Sequence, residues 1–145
     1  MNFNILNEYE IRAILSDFTS STDKGYPELV TPLTYYTRVD GEQILAYSSF
    51  SDMGNFYFVG NTYVMPNSRG KGVYTNLLTN RNNHLKDKPK ITLVNPIEGT
   101  DISQLLYQVA KQGGKVVNSY EEVADIMSED IYTSLSKLPM YIYRW

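Results

Sequence analysis

The chain has 145 residues, with 13 Lys and Arg against 16 Asp and Glu, one His and no Cys. That length fits a single domain with its own core, and the missing cysteines exclude a disulfide framework, a thiolate zinc site and a cysteine nucleophile. A net charge of −3 argues against non-specific nucleic-acid binding, and His84 is the one imidazole from which a triad or a His-rich metal centre could be built.

From about Asn7 to Thr19 the apolar residues Ile11, Ile14, Leu15 and Phe18 recur at i, i+3, i+4 and i+7, the stripe of an amphipathic helix. Ser20 to Pro27 is rich in turn formers, with a short helical turn expected near Glu28–Val30. Three β-rich segments follow: Leu33–Val39, then Gln43–Phe50 after the hairpin signal Asp40-Gly41, then Phe56–Met65 with Gly60 inside it. A glycine within a strand marks a bulge or a close backbone approach. Pro66–Gly72 reads as a loop, Val73–Leu85 as a helix, Ile91–Val94 as a short buried strand, and Asp101–Gln112 as a helix stopped by Gly113-Gly114. Lys115–Val117 and Met140–Trp145 are strands, and the acidic stretch Glu121–Leu138 between them is helical in parts. The order implies one α/β (α+β) domain over residues 1–145, with a central mixed, mostly antiparallel sheet flanked by helices. Met1–Glu10 has neither a positive segment nor a long apolar run, and no stretch approaches 18 apolar residues, so a soluble, cytoplasmic protein without a membrane partner is expected. Seven tyrosines, among them Tyr35, Tyr47 and Tyr63, fall in these strands, where aromatic residues pack well.

Asn67 to Tyr74 carries the most information. A strand that ends in a glycine-rich loop and opens a helix is an anion-binding device, because the first helical N–H groups lack partners and the helix dipole favours negative charge. The P-loop pattern fails here: Met65–Arg69 holds no glycine and Gly72 follows Lys71 where Ser or Thr is required. The dinucleotide fingerprint fails too, with Thr75 in place of its third glycine. Between Pro66 and Lys90 stand Arg69, Lys71, Arg81, Lys86, Lys88 and Lys90 against Asp87 alone, a basic flank on an acidic chain.

The segment Arg69-Gly70-Lys71-Gly72-Val73-Tyr74, preceded by Tyr63-Val64-Met65-Pro66 and followed by Leu77-Leu78, resembles the acetyl-CoA signature of the GNAT superfamily of N-acetyltransferases: Arg or Gln, two residues, Gly, one residue, Gly or Ala. Tyr74 replaces the last Gly or Ala. The resemblance implies an acetyl-CoA-dependent transfer of an acetyl group to a primary amine of a small molecule or protein, by a monomer or homodimer with no metal. It implies that Arg69, Gly70, Lys71, Gly72, Val73 and Tyr74 hold the pyrophosphate. It also implies that backbone groups of Val64 and Met65 pair with the pantetheine, in a gap opened beside the strand Ile91–Val94 by a bulge at Gly60, and that Asn95 bonds a pantetheine amide. Tyr107, near the position of the family's proton donor, is the candidate general acid. The family often places a Glu on the long central strand, where Phe56–Tyr63 has no carboxylate. Glu98 and Asp52 are the nearest candidates for the base, and a catalytically inactive GNAT-like binding or interaction module is the alternative reading. The acidic residues Glu121, Glu122, Asp125, Glu129 and Asp130 either attract a cationic amine or form a solvated face. His84 reads as a partly exposed helix residue.

Overall fold

The computed structural model describes residues 2–15, 18, 33–94 and 103–145. In chain order the elements are β1 (Asn2–Asn7), α1 (Glu8–Ile14), β2 (Thr34–Asp40), β3 (Gln43–Asp52), β4 (Tyr57–Val64), α2 (Val73–His84), β5 (Lys90–Val94), α3 (Ser103–Lys111), β6 (Lys115–Val116), α4 (Glu129–Ser136) and β7 (Tyr141–Arg144). The strands form a mixed sheet in the order β1-β2-β3-β4-β5-β7-β6. Pairs β1–β2, β2–β3, β5–β7 and β6–β7 are antiparallel, and β4–β5 is parallel over Tyr57↔Lys90 and Phe58↔Ile91. Two compact units share β4: residues 1–51 with 59–86, and residues 52–58 with 87–145.

The first unit departs from the sequence expectation in three places. The chain begins with a strand, β1, which pairs with β2 from Asn2↔Val39 to Asn7↔Thr34. Three asparagines, poor strand formers, and an apolar residue, Ile5, left 47% exposed hide it from pattern reasoning. Helix α1 does start at Asn7, whose side chain accepts from the Glu10 N–H while the Glu10 carboxylate accepts from the Asn7 N–H, a reciprocal capping box. It ends at Ile14, not near Thr19, because Leu15 turns to extended backbone (φ −109°, ψ 103°). Ile14 is therefore exposed instead of lying on a buried stripe, whereas Ile11 is fully buried and Phe18 packs edge-on against Tyr35 and Tyr47. Edge-to-face rings at such spacing add about 1 kcal/mol per pair beyond area burial. The hairpin turn is Gly41-Glu42, one residue later than the Asp40-Gly41 signal, with Gly41 at φ +60°. A register shift between Arg38 and Val39 is the bulge recorded on β2–β3.

Contacts from β3 to β4 run Leu45 to Met65, Ser48 to Thr62 and Ser49 to Gly60, an antiparallel order. The Gly60 carbonyl accepts from Ser49 Oγ at 2.6 Å. His84, at the end of α2, is exposed and lays its ring against Tyr36 at 5.5 Å, as a partly exposed helix residue should.

In the second unit β5 is buried at all five positions, which accounts for Ile91, Leu93 and Val94 falling on both of its faces, with Lys90 and Thr92 buried among them. Lys90 and Trp145 exchange backbone hydrogen bonds of 2.8 and 3.1 Å at its start. Helix α3 stops where expected: Gly113 takes φ +81°, and the Gly114 N–H returns to the Val109 carbonyl at 2.8 Å. The acidic stretch resolves into a short 3-10 turn at Tyr120–Glu122 and helix α4, capped by Ser128. Asp125 meets Arg144 through two bonds of 2.6 and 2.7 Å, so one of its carboxylates has a structural partner.

The hydrogen bonds from Arg144 hold the Asp125 carboxyl below its ordinary range. As pH falls, the unfolded chain takes up this proton first, so the pair supports the fold above about pH 4 and its contribution disappears as pH drops through the lower folded value. Asp125→Asn is expected to flatten this acid limb in a denaturation series from pH 3 to 6. In Gly114→Ala the new Cβ would stand 2.8 Å from the Val109 carbonyl oxygen. That clash should destabilise by about 2 kcal/mol and lower Tm by roughly 5 °C in a calorimetric melt.

Candidate functional site

β4 leads into the loop through a 3-10 turn, Pro66–Ser68, in which Ser68 N–H bonds the Met65 carbonyl at 2.8 Å and Ser68 is buried. Proline suits this first position because its fixed φ matches and no N–H is lost from a bond. Gly70 and Gly72 then adopt left-handed backbone, φ +74° and +77°. A side chain at either position would meet no atom within 4 Å, so glycine is demanded by conformation and not by crowding. The space around both is open to a ligand.

Gly72 is the N-cap of α2 and supplies no side chain to cap it. The first intrahelical bond is Asn76 N–H to the Gly72 carbonyl at 3.0 Å, and the N–H groups of Val73 and Tyr74 meet no acceptor among the described residues. No acidic residue occupies the first turn. Free donors and the positive end of a twelve-residue helix thus stand next to Lys71, which is exposed.

Arg69 is fixed in a way the sequence did not foretell. Its Nε donates to the Val64 carbonyl at 2.9 Å, and its guanidinium lies 5.2 Å from the centre of the Tyr63 ring. Tyr63 in turn packs on Tyr47 at 5.8 Å, and Tyr47 on Tyr35 and Phe18. The loop is therefore tied back to the end of β4 and seated on the aromatic core, while the terminal nitrogens of Arg69 keep their donors for a ligand. Met65 N–H is bonded to the Leu45 carbonyl at 2.9 Å. Adjacent residues of a strand present their amides to opposite edges, so Val64 turns its own N–H and carbonyl away from β3.

Tyr74, the departure from the motif, stands in the first turn of α2. It is half-buried along α2, and burial raises its pKa while the nearby Arg81 charge lowers it. The basic flank is smaller than the sequence count implies. Arg81 and Lys90 are buried. Lys88 is paired with Asp52 at 2.7 Å and sits 4.9 Å from the Tyr57 ring. Arg69, Lys71 and Lys86 remain exposed. The start of the loop also walls a cleft of about 650 Å³, bordered by Ile14, Leu15, Glu42, Ile44, Met65 and Ser68. Glu42, the charged group on that wall, repels phosphate, which leaves the Gly70–Tyr74 side as the anion face.

The predicted site residues Val64, Met65 and Arg69–Tyr74 are thus brought together in the first unit. Tyr107 lies on α3 in the second unit, 63% exposed, with no hydrogen-bond partner among the described residues. Asn95, Glu98 and the Asp101 cap fall outside the described residues. Asp52, the other candidate base, is bonded to Lys88 and to the Gly54 N–H, and these bonds hold its carboxyl below the ordinary range, the wrong direction for a base at neutral pH. Among the described residues no cluster of His, Asp and Glu is suited to a metal ion, and no helix is long and apolar enough to cross a membrane. Sequence reasoning missed Tyr63 as the seat of Arg69, and Arg81 with Ser48. Their relation is one of facing strands and helix, and no local pattern carries it.

No protein-family sequence model and no curated protein sequence matches the chain. Solved structures do. Tetrahymena GCN5 superposes with a TM-score of 0.64 at 14% identity, over 99% of this chain and 94% of that one. The PaiA N-acetyltransferase of Thermoplasma acidophilum, solved in complex with coenzyme A, gives 0.57 at 11% identity over 99% and 98%. The ribosomal-protein-S18-alanine N-acetyltransferase of Escherichia coli gives 0.55 at 11% identity over 99% and 91%. Identities this low speak for architecture alone. The chain thus shares its fold with these GCN5 and N-acetyltransferase structures.

Proposed function

We propose that the chain is an acetyl-CoA-dependent N-acetyltransferase that moves an acetyl group to a primary amine of a small molecule or protein. The observation that carries this reading is the pair of left-handed glycines opening onto the uncapped start of α2, in a fold for which one similar structure was solved with coenzyme A. The free N–H groups of Val73 and Tyr74, with Lys71 and the outer nitrogens of Arg69, suit the pyrophosphate in number and charge. Asn95 is assigned to a pantetheine amide on the strength of the motif alone. When bound, the cofactor supplies a thioester, an activated acetyl group that a neutral amine attacks directly.

The chain's own groups have three tasks. The Val64 N–H, directed away from β3, is the donor available to a thioester oxygen as charge develops on it. A base must take the amine proton, and Glu98 is the carboxylate assigned to it. A proton must reach the departing sulfur, and Tyr107, exposed and free of protein partners among the described residues, is the donor assigned.

The lack of a carboxylate on β4 favours a second reading, a GNAT-like module that binds the cofactor without turning it over. Cofactor binding with no CoA release across a broad amine panel would distinguish it.

Arg69→Glu should weaken acetyl-CoA binding by at least about 100-fold, since it reverses a charge and removes a charge-assisted donor. The melt should stay cooperative, and unchanged affinity in titration calorimetry would remove Arg69 from the site. Tyr107→Phe should lower kcat by about 100-fold with little change in the KM for acetyl-CoA, measured as thiol release with an accepted amine.

A further inference from the structure

Arg81 stands out among the buried residues of α2. It is 4% exposed, and among the described residues no carboxylate lies within ion-pair distance. Nη1 donates to Ser48 Oγ at 2.6 Å, while Nε and Nη2 donate to Asn82 Oδ1 at 3.2 and 2.9 Å. Both acceptors are neutral, so the donors are satisfied and the charge is not cancelled. Because a guanidinium can only donate, Ser48 Oγ accepts and its own proton is free for Thr62 Oγ1 at 2.8 Å, which links α2 through β3 to β4. Desolvation lowers the Arg81 pKa to about 10, which still leaves the group protonated at neutral pH.

An unneutralised buried cation is unfavourable for stability alone, and an apolar residue of similar volume is often as good or better there. Its position gives it another use. Helical side chains lean toward the N-terminus, so the guanidinium of Arg81 lies toward the turns that carry Tyr74 and Val73. Tyr74 is close enough for its phenol and the Arg81 charge to influence each other. Leu77 and Leu78, between Arg81 and the start of α2, are buried, and in such surroundings charge is screened far less than at the surface.

We propose that Arg81 is an affinity-setting residue of the loop at Gly70–Tyr74, its buried and unneutralised charge adding to the positive end of α2 and tightening the hold on a polyphosphate it does not touch. This rests on the reading of that loop as the CoA pyrophosphate site. A unit charge at roughly 10 Å in an effective dielectric near 20 changes the binding of one opposing charge on the order of tenfold.

The test is titration calorimetry with CoA at low and high salt, on the wild-type chain, Arg81→Lys, Arg81→Gln and Ser48→Ala. Lys keeps the charge, Gln keeps a hydrogen bond to Ser48 without the charge, and Ala at position 48 removes a partner while leaving the charge in place. The expected result is a five- to tenfold weaker CoA affinity in Arg81→Gln, near wild-type affinity in Arg81→Lys, and a lower Tm with unchanged affinity in Ser48→Ala. Wild-type affinity in Arg81→Gln would overturn the proposal. So would an equal loss in Ser48→Ala, which would make Arg81 a structural peg, and this variant decides the matter if Arg81→Gln does not fold. Absence of CoA binding by the wild-type chain is a separate result: it removes the cofactor reading and the role of Arg81 with it.

Discussion

The left-handed backbone at Gly70 and Gly72 is the constraint on which the site depends. Any L side chain there is strained, and two such residues so close together turn the chain sharply from β4 into α2. The turn leaves the N–H groups of Val73 and Tyr74 without acceptors among the described residues, and the helix without a capping side chain. A structural helix end ordinarily satisfies these groups itself, as α1 does with Asn7 and α4 does with Ser128. The contrast within one chain shows that α2 differs by arrangement and not by a general absence of caps.

Holding that loop open requires anchors that do not consume its donors. Arg69 does this on one side by giving a single nitrogen to the Val64 carbonyl and resting on Tyr63, which belongs to a run of packed rings reaching Tyr35 and Phe18. On the other side α2 is pinned by Leu77 and Leu78, fully buried, and by Arg81 bonded to Ser48. Apolar burial of each leucine is worth about 2 kcal/mol, enough to fix the helix without the arginine. The positive charges near the loop are thus secured by carbonyl, hydroxyl, amide and ring, none of which neutralises them, whereas Lys88 and Arg144 meet carboxylates.

Much of this was legible in the residues. The hairpin, β4, the start of α2 at Val73, the stop of α3 at Gly113 and the final strand all follow from local signals that tertiary packing did not override. The loop was legible for the same reason, since glycine spacing is a backbone property. Three features were not. Strand β1 is an edge strand of asparagines, secured by pairing with β2 and by the Asn4 carbonyl accepting from Thr37, neither of which leaves a periodic signature. The early end of α1 depends on one extended residue, Leu15, within an apolar pattern that continues past it. The environments of Arg69 and Arg81 are set by contacts from other strands, so both read from the sequence simply as members of a basic flank. Tyr74, the departure from the motif, is half-buried in the first turn of α2 within reach of the Arg81 charge, a relation across two helical turns that the motif does not carry.

The central claim is that this loop receives the pyrophosphate of coenzyme A. Native mass spectrometry of the purified chain titrated with acetyl-CoA tests it most directly, because bound mass and stoichiometry are read without knowing the acceptor. The predicted result is a single added acetyl-CoA per chain, lost on competition with inorganic pyrophosphate. A chain that stays folded and carries no acetyl-CoA at millimolar ligand would contradict it.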